Sequence, residues 1–114
     1  MTIREIVQLL NANIVTGEQH SDLKVEYAFS SDLMSDVLTT RKDNMLLITG
    51  LCNVQTIRTA EMSDIHCIIF ARGKKASSEM VELAEENATV LIECRFSIFE
   101  ISGILFQAGI RPVF

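Results

Sequence analysis

Three short runs of nearly unbroken apolar residues, with starts about 22 residues apart, constrain this chain more than any other feature. They are Met45-Leu46-Leu47-Ile48-Thr49, closed by Gly50, then Cys67-Ile68-Ile69-Phe70-Ala71, closed near Gly73, and Val90-Leu91-Ile92. A strand that is apolar on both faces must be covered on both faces, which is the situation of parallel sheets flanked by helices. The spacing fits the same picture, because a strand, a helix and two short loops fill that length in a right-handed crossover.

Helical patterns occupy the intervals. Val54, Ile57 and Ala60 share one stripe, Met80, Val81, Leu83 and Ala84 a second, and Ile98, Ile101, Leu105 and Ala108 a third. The last opens on Ser97 with Glu100, read as a capping box, and ends at Gly109. Upstream, Thr2 with Glu5 is another capping box, followed by Ile6, Leu9 and Leu10 on one face, and the helix stops near Asn11 to Asn13. Ile14-Val15-Thr16 reads as extended, Glu18 to Asp22 as a loop, and Val25 to Phe29 as a half-exposed strand with Lys24 and Glu26 on its other face. Ser30-Ser31-Asp32 then caps a short helix reaching about Leu38. The expected fold is a three-layer αβα domain with a mainly parallel sheet, a single unit over residues 1–114 with 110–114 as a tail.

Ten Lys plus Arg against fifteen Asp plus Glu give a net charge of −5. This balance argues against nucleic acid and anionic membrane as partners, since both are held by many basic contacts to phosphate. No apolar run is long enough to span a bilayer, and the opening residues start a helix pattern, not a signal segment. Cys52, Cys67 and Cys94 are odd in number and widely spaced, so neither a disulfide framework nor a zinc site is indicated, and a reducing cytoplasm is the natural reading. Gly73-Lys74-Lys75 lacks the first glycine and the hydroxyl residue of a P-loop, and no G-x-G-x-x-G follows a strand, so no cofactor and no kinase or NTPase chemistry is expected.

Ligands of open parallel sheets sit beyond the carboxyl ends of the strands. The loops there carry Ser30, Ser31, Gly50, Cys52, Asn53, Arg72, Gly73, Lys74 and Arg95. Small hydroxyl residues, a glycine before an Asn cap and three basic side chains suit a small anion such as a nucleotide. The plainer reading is that Ser31, Asn53 and Ser97 cap helices, Gly50 and Gly73 turn the chain, and the cations are solvated. Cys52, just before a helix N-terminus, invites a reactive thiol with Cys94 as its neighbour, though free cysteine more often serves as a buried apolar group. His66 and Cys67 open a strand at the other end of the sheet. The Glu79, Glu82, Glu85, Glu86 series has the spacing of a solvated helix face.

Residues 4 to 109 resemble the DRTGG domain. The resemblance is carried by Leu46-Leu47-Ile48-Thr49-Gly50, by Ile57-Arg58-Thr59-Ala60-Glu61-Met62-Ser63-Asp64-Ile65 and by Ile69-Phe70-Ala71-Arg72-Gly73-Lys74. It implies a fold similar to the N-terminal domain of HPr kinase, and a regulatory module of the kind found beside CBS pairs and in phosphotransacetylases. The stand-alone subgroup that it looks like is often encoded near iron hydrogenase genes. The Asp-Arg of the family motif falls at Cys52-Asn53 and its Thr-Gly-Gly at Ala71-Arg72-Gly73, so only the last glycine is kept. The HPr kinase P-loop lies in another domain.

The expected function is therefore a non-catalytic ligand sensor that binds a small anion through Arg72, Lys74 and the Gly50 to Asn53 turn. The alternative is a protein-binding accessory factor for a hydrogenase or other redox enzyme, supported by the apolar tail Ile110 to Phe114. The strand around Tyr27 and the surplus of apolar residues point to a homodimer.

Overall fold

Each expected apolar run is a strand, and the sheet extends beyond them on both sides. The computed structural model describes residues 1–114. Its elements are α1 (Ile3–Leu10), β1 (Asn13–Thr16), β2 (Tyr27–Ser30), α2 (Met34–Val37), β3 (Met45–Thr49), α3 (Val54–Met62), β4 (Cys67–Phe70), α4 (Ser78–Glu86), β5 (Val90–Glu93), α5 (Ile98–Gln107) and β6 (Arg111–Pro112). The six strands run in the order β1-β5-β4-β3-β2-β6. Every pair is parallel except β1 with β5.

This order sorts the helices. The connections from β2 through β5 step across the sheet in one direction, so α2, α3 and α4 share one face. The step from β5 to β6 runs backward, and α5 crosses the other face beside α1. Two cores result. On the α1 and α5 side, Ile3, Ile6, Leu10, Ile101 and Leu105 meet Leu46, Ile48, Ile69 and Ile92. On the other side, Val37, Ile57, Ala60, Met80 and Ala84 meet Leu47, Ile68, Phe70 and Leu91. Alternation along each strand thus feeds both cores, which is why the runs read as apolar throughout.

The structure corrects several local expectations. The Val25 to Phe29 strand begins at Tyr27, because the Val25 N–H goes to Met1 and those of Glu26 and Tyr27 go to Asn44, ahead of the β3 ladder. That strand is not an edge, since Arg111 and Pro112 of the supposed tail pair with Tyr27 and Ala28 and form β6 outside it. Pro112 is tolerated because the edge position needs no inward N–H from it. Leu9 is exposed, and Ile3 takes its place on the buried face of α1. Ala108 is exposed too, and the stripe of α5 is completed by Ile110 after the turn. At Ser97 only half of the box forms: its hydroxyl accepts from Glu100 N–H at 3.1 Å with no return bond.

The Thr2 box is complete. Glu5 N–H donates to Thr2 Oγ1 and Thr2 N–H donates to Glu5 Oε1 at 2.9 Å, and this backbone bond holds the Glu5 carboxyl below its ordinary range. The lowered folded-state value means that the box contributes fully above the unfolded carboxylate range and is lost as pH falls through that lowered value. Amide exchange in the first turn of α1 should therefore accelerate between about pH 5 and pH 3 beyond its intrinsic rate, and Glu5→Gln should flatten that dependence. Protection that does not change with pH in the parent chain would contradict the assignment.

Candidate functional site

Because β2 to β5 are parallel, the loops that follow them line one edge of the sheet. Ser30 and Ser31 stand after β2, Gly50, Cys52 and Asn53 after β3, Arg72, Gly73 and Lys74 after β4, and Arg95 after β5. At about 4.8 Å between strands, this rim is about 15 Å long. All of the expected site residues lie on it.

Their hydrogen bonds divide them. Asn53 Oδ1 accepts from Thr56 N–H at 3.0 Å and from the Thr56 hydroxyl at 3.1 Å, an ordinary N-cap of α3. Ser31 Oγ accepts from Leu33 N–H at 3.0 Å, closing a local turn and capping nothing. Ser30 Oγ meets Ser102 Oγ of α5 at 2.7 Å. The Gly50 N–H donates to Asp32 Oδ1 at 2.7 Å, and the same oxygen accepts from the Thr49 hydroxyl at 2.9 Å.

Asp32 is the residue that the sequence reading misplaced. The sequence places it with Ser30 and Ser31 in a segment that caps α2, whose N-cap is Leu33 with no side-chain bond. Its carboxylate instead fixes the β3 loop, and the negative charge beside Gly50 disfavours an anion at that turn. The only local hint was a carboxylate next to two hydroxyl residues, which reads as a cap wherever it occurs.

The β4 and β5 loops are clamped together. Arg72 N–H donates to Phe96 O at 2.8 Å and Gly73 N–H to Cys94 O at 3.0 Å, while Lys74 N–H returns to Ala71 O at 3.3 Å. Arg72 and Gly73 both have positive φ, 60° and 70°, which with the Lys74 bond makes a tight turn of the mirror-image type. Lys75 is paired with Glu93 at 3.3 Å, and the other Glu93 oxygen accepts from Ala76 N–H. Arg72, Lys74 and Arg95 make no ion pair, and Arg95 lies over the Phe96 ring at 5.3 Å. The clamp thus presents three uncompensated cations at one end of an acidic protein.

The cysteines do not meet. Cys52 packs with the core on the α3 and α4 face, whereas Cys94 is buried in the core on the other face. Burial, then the nearby Glu93, raises the Cys52 thiol pKa against a smaller opposing effect of Lys74. A raised thiol carries less thiolate at neutral pH, which argues against a reactive Cys52. Cys67 is wholly buried, which also pushes its thiol up.

The largest concavity adjoins this rim only at Ser30, which lines it together with Ser102. A groove of about 450 Å³ runs between α5 and the β2–β6 edge, floored by Ala28 and Ile48 and walled by Phe99, Phe106 and Phe114. Phe114 makes an edge-to-face contact with Phe29, with centroids 5.4 Å apart. The sequence reading missed Phe99 and Phe106, and a signal was present, since α5 is apolar outside its buried stripe as well.

An α/β domain with its loops gathered at one edge of a mainly parallel sheet is the class that this arrangement defines. The DRTGG domain model matches residues 5–108, and the chain belongs to the DRTGG domain family. No curated protein matches the sequence. Among solved structures, the fold is similar to that of the CBS and DRTGG domains of the regulatory region of Clostridium perfringens pyrophosphatase, complexed with its activator diadenosine tetraphosphate. The TM-score is 0.76 at 16% identity, over 94% of this chain and 46% of the other, so this chain spans about half of that one. No helix is long and apolar enough to cross a membrane.

Proposed function

We propose that this chain is a non-catalytic regulatory module that senses a small anion, of the nucleotide or polyphosphate class, at the rim formed by the β4 and β5 loops. The observation that carries this reading is Arg72. A non-glycine residue at φ 60° costs about 1 kcal/mol, and the family motif places a glycine there. Five non-glycine residues of the chain have positive φ, and Arg72 is the only cation among them, which is a reason to look for a function there. The turn holds its guanidinium beside Lys74 and Arg95, all without carboxylate partners, while Asp32 and Asn53 occupy the polar groups of the neighbouring loop. Binding is accordingly assigned to Arg72, Lys74 and Arg95, with Gly73 shaping the turn and Ser30, Ser31, Gly50, Cys52 and Asn53 supporting the rim. The regulatory region of the clostridial pyrophosphatase, with its nucleotide activator, supplies a parallel at the level of the larger protein.

Arg72→Gly separates binding from folding. It should raise stability by about 1 kcal/mol by relieving the left-handed strain, and abolish the thermal shift given by the ligand. In the parent chain a ligand at 100 times its Kd adds about 2.7 kcal/mol, and the shift weakens with salt. A panel of ATP, GTP, diadenosine tetraphosphate and pyrophosphate that shifts the parent and Arg72→Gly equally would remove the rim as the site.

The groove on α5 favours a second reading, that of a protein-binding accessory factor, for which the redox enzyme implied by the resemblance would be a partner. A flat ligand panel together with retained partner capture would select it.

A further inference from the structure

The groove and the three phenylalanines beside it make one surface, and its composition constrains what covers it. Phe99 is 89% exposed, Phe106 69% and Phe114 76%. At about 200 Å² per ring, these three side chains alone expose about 450 Å² of apolar surface, near the largest patch found on ordinary monomers. A standard interface takes about 800 Å² from each partner, so the rings supply more than half of one before the groove floor is counted.

The mode of docking follows from the edge strand. The Arg111 and Val113 N–H groups point inward, to Glu26 O and Ala28 O. The outward position between them is Pro112, which has no N–H to offer. Strand addition is therefore blunted, and contact has to be made by side chains of α5 and the tail. On α5, Phe99 and Phe106 flank Gly103, where a Cβ would meet nothing within 4 Å. This face carries its own knobs and its own hollow. When two such helices cross antiparallel about a point between Ser102 and Gly103, Phe99 of each lies opposite Phe106 of the other, the self-matching pattern that a two-fold interface needs. Arg111 is the only charged side chain in the groove.

We propose that a second copy of this chain covers the groove, forming a two-fold dimer in which α5 packs antiparallel on its mate and each set of phenylalanines fills the other's hollow. This moves the expected dimer contact from the strand at Tyr27, which β6 covers, to the opposite side of β6. The groove shares only Ser30 with the rim, so the dimer does not rest on the anion reading.

Light scattering coupled to size exclusion tests the interface. The 114-residue chain should elute at twice 12.8 kDa, and Phe99→Glu combined with Phe106→Glu at 12.8 kDa with an unchanged circular dichroism spectrum. A second measurement covers misfolding of that variant: Gly103→Cys in a Cys52→Ser background should form a disulfide-linked dimer on mild oxidation, while Glu82→Cys in the same background should not. A parent chain that is monomeric at about 0.1 mM, a double variant that stays dimeric, or equal crosslinking at both positions would overturn the proposal, a monomeric parent pointing to a different protein as the occupant.

Discussion

Ile69→Ala should unfold about 15 °C below the parent chain, a loss of about 4 kcal/mol. Ile69 is at the middle of β4, fully buried, and paired in register with Ile48 and Ile92 on the face that α1 and α5 cover. Removing a buried side chain from such a place costs the transfer energy of the lost atoms plus the cavity they leave, and isoleucine-to-alanine changes fall at about 2–5 kcal/mol. The upper part of that range applies because rigid neighbours on two strands cannot close the gap. For a domain of this size each kcal/mol moves the midpoint by about 4 °C. Ile69→Val, which keeps most of the contact, should cost about 1 kcal/mol. Denaturant melts of the two variants check this, and a loss below about 1.5 kcal/mol for the alanine would contradict the placement of Ile69 at the centre of its core.

Asp32→Ala should cost about 2 kcal/mol although Asp32 itself is exposed. One carboxylate oxygen takes both the Gly50 N–H and the hydroxyl of Thr49, which is wholly buried. Without it the hydroxyl has no acceptor in place, and hydrogen bonds to a charged group are among the stronger ones. Asp32→Asn keeps an acceptor of the same shape and should recover more than half of the loss. A neutral Asp32→Ala would mean that water replaces the carboxylate, and the β3 loop would then owe its shape to the bonds of Leu51 with Thr49 and Thr56 and to the Asn53 cap.

These two residues mark how far the sequence could be read. Ile69 sits in an apolar run whose length and spacing leave few alternatives, and the parallel strands, the helices between them and the existence of both cores were legible for that reason. Asp32 was seen, but as a helix cap, because its partners Thr49 and Gly50 are far along the chain and only the pairing of β2 with β3 brings them near. β6 was invisible for a related cause. Two residues with a proline look like a tail until β2 offers them an edge. Of the rim, the basic residues and the turn glycine were legible from their place after β4 and β5. The clamp that joins those loops was not, since it runs through backbone groups that every sequence has. The groove was hidden by reading α5 along its buried stripe only, when Phe99 and Phe106 were equally plain on the other.

The most direct test of the anion rim is an amide chemical-shift titration of the labelled protein with ATP, diadenosine tetraphosphate and pyrophosphate in turn. At least one of them should perturb residues 72–75 and 94–97 first and most, with Asn53 and Gly50 following weakly and the α5 groove unmoved. Amides that stay still with all three at millimolar concentration, or that move only along α5 and β6, would contradict an anion sensor at this edge of the sheet.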